Sequence, residues 1–275
     1  MHNCEENRYL NGAIFCRNHS SLRLDVEKKK KGSTNIDIFS MEESEIKTNK
    51  HYRHIKEGAP YREVLFNSHF THPFTSIISG PSNSGKTTFI CNLINRSELL
   101  IEPKLDRIIY VYSHWQSVFD TLKNVEFLTS VPNLSDYDSF QNTLIIIDDF
   151  MSEIDQLISS YFTRGSHHKN VSVMLVTQNL FHPNKHFRTA SLNSQYMIIF
   201  KNPRDSLQIK YLARSIFDRD SKRFLEAYTH ATTPPFGYIL IDLRQHTHHN
   251  YRLRTWVLND HPQGKHHQAV YFPKE

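Results

Sequence analysis

The chain is poor in cysteine, has no long apolar run, and carries little acid in its second half. Three cysteines (Cys4, Cys16 and Cys91) in 275 residues cannot build a disulfide framework, which fits a reducing, intracellular setting. The longest apolar runs, such as LIII at 144–147, fall far short of the ~18 residues that a membrane-spanning helix needs. The opening MHNCEENRYL lacks the basic and apolar regions of a secretory signal. No internal repeat is visible.

What remains is 38% hydrophobic and 22% charged, a globular composition long enough for one α/β domain with extensions. The net charge of +5 is unevenly spread. Between residues 164 and 255 there are 14 Lys or Arg, nine of them Arg, against five Asp or Glu. Such a bias favours a polyanionic partner, nucleic acid first, over the plain alternative of a solvated basic surface on an ordinary enzyme.

Residues 1–60 are polar and without a sustained period of 2 or 3.6, and are expected to form a disordered arm. The arm carries a lysine run at 28–31 and the acidic stretch MEESE at 41–45. The run suits a nuclear-import signal, an electrostatic tether or a simple solvated cluster. His2, Cys4, Cys16 and His19 match no common zinc spacing. The eighteen histidines, as in HTHHN at 246–250 and KHHQ at 265–268, read as surface polar groups. A single folded domain is expected over 61–260, with a tail at 261–275.

From residue 70 the pattern becomes regular. Strands are expected at 74–79, 106–113, 125–130, 142–150, 171–179 and 195–202, with helices at 86–96, 151–164, 205–216 and 218–228. A final strand pair is expected at 236–243 and 251–258. Continuous β-branched runs alternating with helical segments imply a mainly parallel sheet covered by helices on both faces.

One junction carries chemistry. Gly80-Pro81-Ser82-Asn83-Ser84-Gly85-Lys86-Thr87 matches G-x-x-x-x-G-K-[ST] and lies between a buried strand and a helix, the context that a phosphate-binding loop requires. Gly80 turns the chain out of the strand, and Gly85 lets backbone approach a phosphate without a Cβ in the way. Successive N–H groups then form an anion nest at a helix N-terminus. Lys86 is placed to reach the β/γ-phosphates and Thr87 to hold Mg²⁺, with Thr88 a lesser candidate in the same turn.

About sixty residues on, LIIIDDF ends a buried strand in two acids. Asp148 suits holding Mg²⁺ through water, and Asp149 suits deprotonating a water for attack on the γ-phosphate; helix capping is the plain alternative. Gln178, in VTQN at the end of the next strand, is placed to sense the γ-phosphate or position that water, or merely to cap its strand. An additional strand between the loop strand and the acidic strand distinguishes ATPase motors from small-molecule kinases, and the segment at 106–112 falls in that interval of the sequence. An arginine from a neighbouring subunit often completes such sites. Arg164 is the first candidate, ahead of Arg188 and Arg204.

Taken together, GPSNSGKTT, LIIIDDF, SHHKNVSVMLVTQNLF and RTASLNSQYMIIFKNPRD resemble the viral genome-packaging ATPases of the FtsK–HerA superfamily. The likeness is to the poxvirus-type packaging ATPase of large DNA viruses, virophages, adintoviruses and Maverick/Polinton elements, over roughly residues 60–258. It implies an additional-strand P-loop NTPase using ATP and Mg²⁺, ring-forming, that drives double-stranded DNA into a capsid at a portal or vertex, with no membrane partner. It also implies action in the host nucleus, a cytoplasmic virus factory or the virion. Gly80, Gly85, Lys86 and Thr87 would be its Walker A, Asp148 and Asp149 its Walker B, and Gln178 its sensor. The superfamily often has Asp-Glu where this chain has Asp148-Asp149, so a water served by Asp149 must sit closer to the backbone. A nucleoside or nucleotide kinase and a non-motor nucleotide switch remain the competing readings.

Overall fold

The computed structural model describes residues 8–10, 13–15, 62–63, 69–136, 141–150, 156–165, 169–204, 206–258 and 268–272. The lysine run, the acidic stretch and the His2, Cys4, Cys16 and His19 group lie outside them. Within the expected arm, β1 (Arg8–Leu10) pairs antiparallel with β2 (Ala13–Phe15).

A ten-stranded sheet organises the rest. Its strands are β3 (Arg62–Glu63), β5 (Thr75–Ser79), β7 (Arg107–Tyr112), β8 (Glu126–Leu128), β9 (Thr143–Asp148), β10 (Val171–Thr177), β11 (Tyr196–Phe200), β12 (Tyr238–Asp242), β13 (Leu253–Thr255) and β14 (Ala269–Val270). β4 (Phe70–Thr71) and β6 (Ile101–Glu102) form a separate parallel pair. The sheet order is β3-β14-β13-β12-β11-β5-β10-β9-β7-β8. From β11 to β8 every pair is parallel, and from β3 to β11 every pair is antiparallel.

The burial follows from side-chain alternation. On β9, Leu144 and Ile146 pack with Phe89, Ile90 and Leu93 of helix α1 (Lys86–Asn95), whereas Ile145 and Ile147 face the opposite layer with Ile158, Tyr161 and Phe187. Those three come from α3 (Gln156–Ser160), the wider helical turn at Tyr161–Gly165, and α4 (Lys185–Leu192); α2 (Ser97–Leu100) is a single turn after α1. A third cluster joins Met197, Ile199, Ile239 and Ile241 to α5 (Ser206–Phe217) and α6 (Ser221–Ala231). Apolar residues on both faces are why the central strands read as unbroken runs rather than alternating ones.

Four expectations change. The strand between the loop strand β5 and the acidic strand β9 is β10, not the segment at 106–112, which forms β7 on the far side of β9. β10 is buried along all seven residues while β7 is partly exposed at both ends, so the fully buried run takes the central place. The helix expected at 151–164 is a helix at 156–160 that widens into the turn after it; 151–155 lie outside the described residues. α4 was not anticipated from KHFRTASL, whose short amphipathic pattern holds two buried residues, Phe187 and Ala190. Finally, the sheet continues past residue 260: Ala269–Val270 pairs with β13, and Tyr271 is fully buried. Among the described residues, no helix is long and apolar enough to cross a membrane.

Candidate nucleotide site

The loop between β5 and α1 is shaped by two left-handed residues. Asn83 has φ 60 and Gly85 has φ 101, and such changes of hand turn successive N–H groups to one side. Asn tolerates this conformation; Gly85 is required to, and a Cβ there would also meet Phe236 Cβ at 3.2 Å. Gly80 has another reason. A Cβ would fall 2.7 Å from Phe200 Cβ and 2.8 Å from Ser84 Oγ, so the chain has no room for a side chain where it leaves the strand.

The first turn of α1 has no side-chain cap, unlike α4, whose His186 N–H donates to Asn184 Oδ1 at 2.7 Å. The uncapped donors of α1 suit an anion. Ser84 Oγ is buried without a hydrogen-bond partner among the described atoms, which adds a polar group to the same cradle. Lys86 Nζ arches back over the loop and donates to the carbonyls of Gly80 (2.7 Å) and Pro81 (2.9 Å). Burial lowers its ammonium from the usual range, while Asp148 and Asp149 pull the other way. Thr87 is half-buried and Pro81, Ser82 and Thr88 line the outer rim.

The acids stand two strands from β5, with β10 between. Asp148 is level with Val176 of β10 and Tyr112 of β7, and Thr177 is level with Ser79. Asp148 continues the Leu144–Ile146 row, so it lies on the α1 face of the sheet. It is 8% exposed and accepts a 2.7 Å hydrogen bond from Tyr110 Oη. Burial pushes its carboxyl above the ordinary range; the Tyr110 bond and the Lys86 charge hold it back, and Asp149 adds to the push. Tyr110 is driven far up by burial and by Asp148, so its phenol stays a donor.

Asp149 is exposed at φ 65, a conformation in which Asp is several-fold enriched over most residues. That is a backbone reason for Asp rather than Glu. Gln178 Nε2 donates to Asp149 Oδ1 at 3.4 Å, and Ser113 Oγ to Oδ2 at 3.5 Å. The structure therefore brings Gln178, Asp148, Asp149 and Lys86 to one sheet edge.

It does not bring the arginines there together. Arg164 lies in the turn leading back to the edge where β10 begins, opposite its own phosphate loop. Arg188 is on α4 rather than in a loop. Arg204 alone follows a strand end, β11, at the loop's edge. Two site residues escaped the sequence reading. Tyr110 is an aromatic among aromatics, and Ser113 is a lone serine after a strand; neither is marked by any motif.

No protein-family model and no curated protein sequence matches this chain. Among solved structures, it is similar to the genome packaging NTPase B204 from Sulfolobus turreted icosahedral virus 2 in complex with ATP-gammaS, at 13% identity and TM-score 0.42 over 64% of this chain and 95% of that one. The cytoplasmic domain of the Thermomonospora curvata Type VII secretion ATPase EccC is similar at 12% identity and TM-score 0.41, over 62% and 24%. The P4 protein from bacteriophage phi6 in complex with ADP is similar at 13% identity and TM-score 0.30, over 46% and 50%. The likeness is one of fold.

A divalent cation fits the donors present. Thr87 and Asp148 offer hard oxygens, and among the described residues no group of three or more His, Cys, Asp or Glu could hold a metal. Mg²⁺ suits this sparse set, because it takes one or two carboxylates and completes its shell with water and substrate phosphates.

Proposed function

We propose that the chain is an ATP-hydrolysing motor that moves double-stranded DNA, acting to package a viral or virus-like genome into a capsid as part of a homo-oligomeric ring. The observation that carries this is the contact between Gln178, just past the end of the strand separating the phosphate loop from the acids, and the second acid, Asp149. A group that senses nucleotide is thereby tied to the group that serves the water.

In this mechanism the loop N–H groups of residues 80–87 hold the triphosphate, and Lys86 exchanges its two carbonyls for the β/γ-phosphates. Mg²⁺, when held by Thr87 and, through water, Asp148, supplies polarisation of the phosphate oxygens. Asp149 takes the proton of the attacking water as its oxygen bonds to the γ-phosphorus, and the bond to the bridging oxygen breaks to release ADP. Gln178 orients that carboxylate. Arg164 of a neighbouring subunit is the first candidate to meet the developing charge, with Arg188 and Arg204 behind it.

The basic excess is smaller in practice than in sequence. Arg244 and Arg254 are committed to the buried Asp242, and Arg223 to Asp220 and the His249 carbonyl. Lys201 and Arg204, exposed at the end of β11, support backbone contact with DNA near the site. Steady-state ATPase activity with and without double-stranded DNA, alongside particle mass by light scattering, tests the reading. Stimulation by DNA and a multi-subunit mass are expected, and Asp149→Asn retains ATP while losing turnover by ~10²-fold or more. Hydrolysis indifferent to DNA, with phosphate appearing on a nucleoside, would make the chain a kinase.

A further inference from the structure

We infer that Phe236 is the nucleobase platform of this site, stacking its ring on the base of a bound nucleotide. The inference rests on the nucleotide reading above and extends it to a residue outside every motif.

Phe236 occupies a turn in which Gly237 N–H donates to the Pro234 carbonyl at 3.0 Å. Pro235 takes the second place and Phe236, at φ 59, the third. A positive φ at that place after proline is the pattern of a type II turn, where Gly or Asn is normal because a Cβ is strained there. An aromatic in this position is an outlier, and such strain survives where the surroundings over-determine it. They do so here. A Cβ on the next residue, Gly237, would lie 2.3 Å from the Ala231 carbonyl oxygen, so the turn is seated hard on the end of α6.

The strain does not serve burial, because Phe236 is 69% exposed. Its ring instead lies against the phosphate loop, with Cβ at 3.2 Å and Cδ1 at 3.3 Å from where a Gly85 Cβ would stand. Below it, Phe200, Tyr238 and Phe89 form a buried aromatic group that backs the loop from the core.

The side of the loop matters as well. The acids lie beyond β10 on one flank of β5, so the terminal phosphate points that way and the nucleoside end leaves by the other. That other flank is β11 and β12, and the turn carrying Phe236 enters β12 there. An exposed ring beside the loop on the nucleoside side offers what stacking needs, a flat face that accepts any base and gains with its area.

Calorimetric titration of the full chain with ATP and with inorganic tripolyphosphate separates base from phosphate. Phe236→Ala is expected to weaken ATP by roughly 5- to 100-fold and to leave tripolyphosphate unchanged, with Phe236→Tyr restoring ATP. Phe236→Gly, unstrained at this φ, is expected to melt no lower than the wild type yet bind ATP as poorly as Phe236→Ala, which separates the effect from misfolding. Equal affinity of Phe236→Ala and wild type for ATP overturns the inference, as does equal loss of both ligands. So does a fall in particle mass without a change in ATP affinity, which would make Phe236 a subunit contact. If the wild type binds neither ligand, the phosphate-loop reading itself fails and this inference fails with it.

Discussion

Replacing Tyr110 by Phe removes a single oxygen and tests Asp148, the acid proposed to hold the metal, without touching it. The phenol donates at 2.7 Å to a carboxylate that is 8% exposed, so water cannot fully replace it. A hydrogen bond to a buried charge contributes ~1.5–3 kcal/mol. Since about 1.4 kcal/mol is tenfold in an equilibrium constant, the Mg²⁺ half-saturation of ATP hydrolysis should rise about 10- to 100-fold. Turnover at saturating Mg²⁺ should largely recover, because the groups that serve the water are intact. The same loss appears in stability without nucleotide. Burial already raises the Asp148 carboxyl above its unfolded value, so its ionisation weakens the fold as pH climbs through and beyond the ordinary carboxylate range. Tyr110→Phe deepens that cost at neutral pH and is less harmful in acid, where Asp148 is protonated in both states. Urea unfolding across pH reads the second effect and a Mg²⁺ titration of hydrolysis the first. An unchanged half-saturation together with an unchanged urea midpoint at neutral pH would refute the assignment of Tyr110 as the group that holds Asp148.

Three other outcomes follow from the same geometry. Gln178→Ala should lower kcat by roughly 10- to 100-fold while leaving the ATP Kd in place, since it loosens Asp149 rather than the phosphate cradle; equal losses in both would argue for a binding role. Gly85→Ala imposes ~1–2 kcal/mol of backbone strain at φ 101 and pushes on Phe236, and calorimetry should show weaker ATP and weaker tripolyphosphate alike. Asp242→Asn should destabilise by ~3–5 kcal/mol, because it removes the carboxylate charge that faces the buried Arg254. Burial would raise the Asp242 carboxyl, but Arg254 and Arg244 outweigh it and hold the carboxyl below the ordinary range. The stability it lends is therefore present above that range and lost as pH falls through the folded value, and the variant should show a flatter acid limb in urea midpoints against pH.

The phosphate loop, the acidic strand and the glutamine strand were legible in the sequence because each obeys a local rule. Gly80, Gly85 and Lys86 are spaced by the geometry of one turn, and LIII and VSVMLVT are mostly apolar because both faces of their strands are covered. Strand order is a different kind of fact. β7 and β10 carry similar β-branched runs, and nothing within either says which will lie beside β5; that depends on how helices and strands pack against one another across the whole sheet. For the same reason Tyr110 could not be matched to Asp148, 38 residues away, nor Phe236 to Gly85, across most of the domain. Residues 268–272 lie after a polar stretch, and they join the sheet because β13 and β3 pair with them and Tyr271 is buried in the core. Short-range spacing determined which loop takes the shape that a phosphate-binding loop requires. Only the packed sheet decided which side chains steady the acids and what stands on the nucleoside side, because those contacts join residues that the chain itself keeps far apart.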